Sequence, residues 1–367
     1  MDRPDEVLTK LDVVRGWLER SGHAAALFRS QANFAWLTAG GRSHVSIGEE
    51  AGIGWVLIGP GVARVLSTNI EYARLLDEEV GDLPFDVLEH PWHRPEEALA
   101  QARSIFGAGS IVTDLPIGDI PAANASLTTL RFTLLPPEVD RYRALGLDAA
   151  RALESTARAA EPGMTELEIS GTLSAACMKR DILPLVNLVA ADERIARYRH
   201  PIPTVRRIER TLMIALTGRR HGLHASLTRF VSFGDLDPER ADHASATARV
   251  DATYILPSRQ GVSLADAFAR GLDQYAHEGF PEEWKLHHQG GLTGYGGREI
   301  FATHDTPHRL DANQALAWNP SITGTKSEDT VLVTDAIPEI LTRTGEWPDV
   351  EVTVDGERLA RPGFLIR

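Results

Sequence analysis

Residues 211–234, TLMIALTGRRHGLHASLTRFVSFG, form two apolar segments separated by the turn-like sequence GRRHG. Bulky and β-branched side chains recur through both segments, which predicts a β-hairpin. Two helical stretches precede this pair, two more follow it, and a strand-rich segment ends the chain. This order of elements predicts an α+β domain over residues 136–367.

Residues 1–135 have a different pattern. Apolar side chains recur at helical intervals over residues 5–21, which predicts an amphipathic first helix. Short apolar runs such as GWVLIG and ARVLS then alternate with helical stretches such as PEEALAQARSIF, and this alternation predicts an α/β domain. We place the boundary at Pro136 and Pro137, just before a long amphipathic pattern that continues to about Ala160.

Composition narrows the class of protein. A chain of 367 residues is too long for one typical core, and its 43% hydrophobic and 24% charged residues are typical of globular proteins. The formal net charge of −13 argues against nucleic-acid binding, which depends on clustered Lys and Arg. We see neither a signal peptide nor a membrane-spanning run, and therefore expect a cytoplasmic protein without a membrane partner. The single cysteine, Cys177, lies in an apolar helical pattern and is expected to be a buried thiol.

Several phrases of the second half resemble the family that contains creatinase, prolidase, aminopeptidase P and methionine aminopeptidase. They are PGMTELEISGTL, RHPIPTVRRIERTLMIAL and SEDTVLVT, and they occur in the family's order. In the first half, ANFAWLTAGG resembles an Asn-x-x-Tyr-Leu-Thr-Gly stretch of the creatinase and prolidase branch. The resemblance implies a pita-bread fold for the second domain, preceded by a creatinase/prolidase-type N-terminal domain.

The resemblance also points to a missing metal centre. Active members of the family hold two metal ions with two aspartates, one histidine and two glutamates, because hard divalent ions need bridging oxygen ligands. At the matching positions this chain has Ala215, Ser226, Gly291 and Asn319, and only the last glutamate is retained, as Glu328. One carboxylate does not hold two divalent ions, so we predict neither the family's metal centre nor another cofactor.

Creatinase is a metal-free member that hydrolyses a C–N bond with a histidine and substrate-holding glutamates. The resemblance matches His200 in RYRHPIP to that histidine and Glu328 to one of the glutamates. The second glutamate aligns with Thr228, which argues against creatine as the substrate. A histidine can accept a proton from water and return it to a leaving nitrogen, which is what hydrolysis without a metal requires.

Other candidate residues lie on the hairpin and in the glycine-rich segment WKLHHQGGLTGYGGRE. Alternation along a strand sends His224, Ser226 and Thr228 to one face. Arg298 resembles a creatinase arginine that grips the substrate carboxylate, a role that suits a guanidinium. The remaining candidates are His287, His288, Tyr295, Asn319 and Arg42, the last as the loosest match to an arginine that the partner subunit contributes in creatinase.

We therefore predict a metal-independent hydrolase of a C–N bond, in an amidine, amide or ring, of a small carboxylate-bearing substrate. His200, Glu328, His288 and His224 are the candidate catalytic residues, and the resemblance to creatinase implies a homodimer. Three alternatives remain open: a lyase, cyclase or isomerase of a specialised pathway, a non-catalytic pseudopeptidase that binds a partner, or a relocated single-metal site. The last would draw its ligands from His221, His224, His287 and His288.

Overall fold

The computed structural model describes residues 1–107 and 110–367, and the chain divides into two compact units, Met1–Glu138 and Val139–Arg367. The first unit contains a five-stranded mixed sheet in the order β4-β3-β2-β1-β5. Its strands are β1 (Ala25–Ser30), β2 (Ala51–Gly59), β3 (Val62–Thr68), β4 (Asp86–His90) and β5 (Ile111–Thr113). Its helices are α1 (Arg3–Ser21), α2 (Gln31–Leu37), α3 (Tyr72–Arg74), which continues as a π-helix over Leu75–Val80, α4 (Glu96–Phe106) and α5 (Asn124–Thr129). The predicted α/β layout is confirmed.

Helix α1 shows how local sequence sets an element of this unit. The Asp2 side chain accepts a hydrogen bond from the backbone N–H of Asp5, and Pro4 occupies the first turn, where its missing N–H costs nothing. Gly22 ends the helix with φ 72°, a left-handed conformation that glycine adopts without strain. The predicted amphipathic helix is confirmed, with its apolar face buried.

The second unit is built from helices and three sheets. The helices are α6 (Pro136–Ala159), which begins at the end of the first unit, α7 (Glu166–Met178), α8 (Glu193–Arg197), α9 (Pro238–Ile255) and α10 (Leu264–His277), with a 3₁₀ turn over Glu283–Leu286. The strands are β6 (Leu183–Ala191), β7 (Thr211–Arg220), β8 (Leu223–Ser232), β9 (Gly290–Thr293), β10 (Ile300–Phe301), β11 (Ala315–Trp318), β12 (Asp329–Leu332), β13 (Glu339–Ile340), β14 (Asp349–Val354), β15 (Glu357–Pro362) and β16 (Phe364–Ile366). The sheets have the orders β16-β8-β7-β6, β10-β9-β11-β12-β13 and β14-β15. The predicted α+β class is confirmed.

Strands β7 and β8 form the predicted antiparallel hairpin, in register from Thr211 opposite Ser232 to Arg220 opposite Leu223. The two turn residues, His221 and Gly222, have φ values of 52° and 82°, as a type I′ turn requires.

Strand β8 is buried along its whole length and connects the two larger sheets. The backbone N–H of Thr228 donates to the carbonyl of Glu328 at 3.1 Å, and the N–H of Ser226 donates to Thr330 Oγ1 at 2.7 Å. The residues that begin β12 are therefore held against β8.

A buried ionic network fixes the start of β12 from the other side. Arg361 pairs with Asp251 at 2.6 Å and with Asp329 at 2.8 Å, and Arg229 adds a second guanidinium to Asp329 at 3.0 Å. Side chains alternate along an extended chain, so Asp329 faces this network while Glu328 faces away from it.

Two further predictions concern Cys177 and membrane-spanning segments. The Cys177 thiol is buried, and burial raises its pKa to about 12, which removes the thiolate needed for nucleophilic chemistry. Within residues 1–107 and 110–367, no helix combines the length and the apolar character needed to cross a membrane.

Candidate active site

The second unit contains a cavity of about 540 Å³ between β6, β7, the start of β8, the segment before β12 and the glycine-rich loop. Its polar lining includes six of the side chains that the sequence singled out: His200, His224, His288, Arg298, Asn319 and Glu328. Residues far apart in the chain thus converge on one concave surface, which is where small-molecule sites form.

Glu328 lies at the centre of the cavity's charges and is only 5% exposed. Its carboxylate accepts hydrogen bonds from Thr228 Oγ1 at 2.7 Å and Lys326 Nζ at 2.9 Å, and Arg298 Nη2 lies 3.5 Å away. Burial alone would raise the pKa of Glu328, but Lys326 and Arg298 outweigh burial and hold the pKa at about 2. The carboxylate is therefore ionised and already paired.

Arg298 reaches the cavity from the loop after β9. Its Nη1 donates to the carbonyl of Gly297 at 2.6 Å, while its Nε is buried without a hydrogen-bond partner. Burial lowers the pKa of Arg298, and the Glu328 carboxylate opposes that shift.

Three histidines form a cluster beside these charges. His200 Nε2 and His287 Nε2 are 3.0 Å apart, and the rings of His287 and His288 stack with their centroids 4.5 Å apart. One ring nitrogen from each of the three lies within 4.8 Å of the others. His287 is buried, and its Nδ1 has no hydrogen-bond partner.

The cluster is uncharged at neutral pH. Desolvation, followed by the charge of Lys326, lowers the pKa of His200 and brings the pKa of His287 to about 2. Desolvation followed by the charge of Arg298 lowers the pKa of His288 to about 4. Neutral imidazoles can accept a proton or bind a metal ion.

His224 is oriented by the glycine-rich loop. Its backbone N–H donates to the carbonyl of Gly294 at 2.9 Å, and its Nδ1 lies 3.2 Å from the same oxygen. Because a carbonyl only accepts, this contact assigns the ring proton to Nδ1. The imidazole therefore faces the cavity in one tautomer.

The other predicted residues occupy different places. Ser226 hydrogen-bonds Thr217 at 2.9 Å, the Thr228 hydroxyl donates to Glu328 at 2.7 Å, and Tyr295 is 1% exposed. These three are outside the set of cavity-lining residues in the described chain. Arg42 belongs to the first unit, where it is exposed and its N–H donates to Glu79 at 2.8 Å.

Lys326 is the site residue that sequence reasoning missed. Its side chain is 8% exposed, and it lines the cavity beside Glu328. A signal was present, because residues two apart on an extended chain project to the same side. A lysine two positions before the retained glutamate is therefore placed to pair with it.

The residues that the sequence predicts at the family's ligand positions do not fit a dinuclear metal centre. Ala215 and Ser226 supply no carboxylate from β7 and β8, and Glu328 is neutralised by Lys326. Gly291 has φ 142°, and a Cβ there would lie 2.2 Å from the carbonyl oxygen of Ile300. A histidine therefore cannot occupy position 291 unless the backbone of β10 moves.

The structure brings together a different set of histidines from the one suggested for a relocated single-metal site. The group of potential ligands that the described residues bring together is His200, His287 and His288, without His221 or His224. His221 occupies the hairpin turn with φ 52°, and His224 is held by Gly294. The sequence offered no measure of the distance between the turn and the cluster.

Comparison with known proteins gives one family match. The model of metallopeptidase family M24 matches residues 140–335. No curated protein sequence matches the chain.

Several solved structures share the fold over nearly the whole chain. Dipeptidase PepE from Mycobacterium ulcerans is 19% identical, with a TM-score of 0.78 over 93% of this chain and 97% of that protein. The prolidase from Pyrococcus horikoshii OT3 is 15% identical, with a TM-score of 0.78 over 92% and 98%. The N-terminal domain of FACT complex subunit SPT16 from Cicer arietinum is 11% identical, with a TM-score of 0.71 over 93% and 97%. At these identities the likeness is one of fold, and it confirms the predicted pita-bread architecture.

Proposed function

The chain belongs to metallopeptidase family M24, and from this premise we propose that it is a metal-independent hydrolase of a C–N bond in a small carboxylate-bearing substrate. The observation that carries the proposal is the Lys326 ammonium, 2.9 Å from Glu328 on the wall of the cavity. A positively charged side chain thus lies beside Glu328, the one carboxylate that the sequence predicts to be retained from the family's ligand set.

The balance of charge supports this proposal. Lys326 and Arg298 bring two positive charges to the single negative charge of Glu328. A divalent metal ion placed near Glu328 would meet two cations in a desolvated site, where like charges repel strongly. The same surplus of positive charge favours a substrate carboxylate, which ammonium and guanidinium groups bind through charge-assisted hydrogen bonds.

His200 is the proposed general base. Its Nδ1 can accept a proton only if its Nε2 carries one and donates it to Nε2 of His287, 3.0 Å away. His287 then carries its own proton on the buried Nδ1, the atom that lacks a partner. In the proposed mechanism His287 accepts this hydrogen bond and is a positioning residue that holds His200 with a basic Nδ1.

The reaction follows from these positions. His200 takes a proton from water, the water oxygen bonds to the electrophilic carbon, and the C–N bond breaks as His200 returns the proton to the leaving nitrogen. Lys326 and Arg298 hold the substrate carboxylate. Glu328 holds these two cations in place and does not contact the substrate as an anion. His224 and His288 border the reacting group.

A second candidate is favoured by the histidine cluster. Three neutral imidazoles within 4.8 Å of one another are a ligand set suited to a single zinc or iron ion. Small side-chain rotations would bring the nitrogens of His200, His287 and His288 to one centre. The charge of Lys326 argues against this candidate. It already disfavours the protonated, positively charged forms of His200 and His287, and a metal ion at these rings would meet the same repulsion.

Elemental analysis after dialysis against a weak chelator separates the two candidates. Less than about 0.2 equivalents of any transition metal, with C–N hydrolysis that survives a strong chelator, would support the metal-independent proposal. About one equivalent, with hydrolysis that is lost on chelation and restored by the metal, would replace it with the single-metal candidate. His200→Gln should abolish hydrolysis in either case, so it serves as the control for contaminating hydrolases.

The family resemblance also leads us to propose a cytoplasmic homodimer in which Arg42 of one subunit reaches the partner's site. Analytical ultracentrifugation tests the dimer. Arg42→Ala tests the contribution of the arginine, through an increase in KM without loss of stability.

A further inference from the structure

The cavity has no carboxylate available for a positively charged substrate group. Among its lining residues in the described chain, Glu328 is the one carboxylate, and both of its oxygens are engaged. Oε2 accepts from Thr228 and Lys326 at 2.7 and 2.9 Å, and Oε1 faces Arg298 at 3.5 Å. A substrate ammonium would therefore meet two cations and no unpaired anion.

Part of the cavity lining is apolar. It is formed by Leu185, Val186 and Leu188 of β6 and by Ala215 and Leu216 of β7. Val186 is 38% exposed although it lines a concave surface, so a ligand placed there would remove apolar area from water.

A break in strand pairing lies at Leu185 and Val186, two neighbours in the chain that both line the cavity. Pro184 pairs with Gly218 and Val186 pairs with Thr217, so the register shifts at Leu185. A bulge of this kind interrupts the alternation of side chains, and both Leu185 and Val186 line the cavity. Strand β6 also lies at the edge of its sheet, which leaves this irregularity unpaired on its outer side.

We infer that the cavity selects N-acylated amino acids, with the carboxylate on Lys326 and Arg298, an uncharged amide nitrogen, and an apolar acyl group on the β6 and β7 wall. The inference rests on the proposed function and specifies its substrate class. A volume of about 540 Å³ lies within the roughly 300–1,000 Å³ of small-molecule sites. Hydrolysis would transfer the water oxygen to the acyl carbon and the proton to nitrogen, giving a free fatty acid and an amino acid.

A pair of matched ligands tests the inference. Leucylglycine and 4-methylpentanoylglycine differ only in the α-ammonium group, and the methyl ester of the acyl compound lacks only the carboxylate charge. We expect the acyl compound to bind at least tenfold more tightly than either, measured by calorimetry on the full-length protein. Each CH₂ removed from the acyl chain should weaken binding about fourfold.

Two surface variants test the wall without depending on the buried charges. Val186→Ser should weaken binding of 4-methylpentanoylglycine several-fold more than it weakens binding of acetylglycine, whose acyl group is far smaller. Val205→Ser is the matched control, because Val205 is 76% exposed and lies outside the cavity lining. Equal losses for the two variants, or no loss for either, would overturn the assignment of the acyl group to this wall.

The outcomes separate this inference from the proposed hydrolysis. Tight binding of the acyl compound without release of glycine would support the substrate class and refute the hydrolase. Preferential binding and hydrolysis of leucylglycine would support the hydrolase and overturn the inference. If neither ligand binds at millimolar concentration, the inference is likewise overturned.

Discussion

Replacing Lys326 with methionine should destabilise the protein, because it leaves the buried Glu328 carboxylate without its lysine partner. The pKa of Glu328 is lowered from 4.5 to about 2, which corresponds to about 3 kcal/mol at 1.36 kcal/mol per pKa unit. Lys326 is the largest favourable contribution to that shift, and it opposes the effect of burial. Breaking a buried ion pair typically costs about 3–5 kcal/mol, because the remaining charge is left without compensation. Lys326→Met should therefore lower the free energy of unfolding by about 3 kcal/mol at pH 7.

Urea unfolding at pH 7, 5 and 3 measures this effect. The double variant Lys326→Met/Glu328→Gln is the matched control, because it removes both charges and keeps similar volumes. It should recover most of the loss seen in Lys326→Met.

The dependence on pH has a definite sign. The folded-state pKa of Glu328 is depressed, so its stabilising contribution is complete above about pH 4.5 and is lost as the pH falls towards 2. The difference between the wild type and Lys326→Met should narrow between pH 5 and pH 3. If the double variant were as unstable as Lys326→Met at pH 7, the loss would come from packing of the lysine stem, and the electrostatic account would be wrong.

Three other predictions concern the glycine-rich loop and the histidines. Gly291→Ala should lower the free energy of unfolding in urea by at least about 2 kcal/mol, because Gly291 has φ 142° and an added Cβ would contact Ile300. Gly294→Ala should lower it less, because a Cβ there meets nothing closer than 3.9 Å. Equal losses for the two variants would contradict the close approach at Gly291. The acid limb of the kcat/KM profile should have its midpoint below pH 6.5, because desolvation lowers the pKa of His200 and only the neutral ring accepts a proton. His200→Gln should reduce kcat by about 10²–10⁴-fold. A midpoint above pH 6.5 would exclude His200 as the base. The folded-state pKa of His287 is about 2, so the unfolded chain binds the proton first and stability falls as the pH drops below 6.5, by at most about 1.4 kcal/mol per pH unit; His287→Gln should flatten this slope in unfolding measured from pH 7 to pH 5.

The charges around Glu328 are the basis for proposing that this cavity binds a carboxylate without a metal ion. In the family pattern, carboxylates surround divalent cations. In this chain Glu328 is paired with Lys326 and Arg298, so two side chains supply positive charge at the cavity. Under the proposed function, Glu328 acts as the counter-ion of these two side chains and not as a metal ligand.

Local pattern was enough to predict much of the architecture. The β7 and β8 hairpin follows from two apolar segments around a turn, and helix α1 follows from apolar spacing between a capping aspartate and a glycine. His200 and Glu328 were found through short motifs, because the residues that flank them keep the family's order. Such signals depend only on neighbours in the chain, and periodicity and capping act over one or two turns.

The arrangement of the site was decided by tertiary structure. His200 and His287 are 87 positions apart and meet at 3.0 Å only because the loop after α8 packs against the loop before β9. The position of Lys326 depends on contact between β8 and β12, and the restriction at Gly291 depends on the backbone of Ile300. Sequence spacing carries no information about such distances, which are set by how sheets and loops pack once the core has formed. The sequence alone therefore determined the fold and predicted the loss of the metal ligands, whereas the pairing of Glu328, the histidine cluster and the apolar wall required the folded structure.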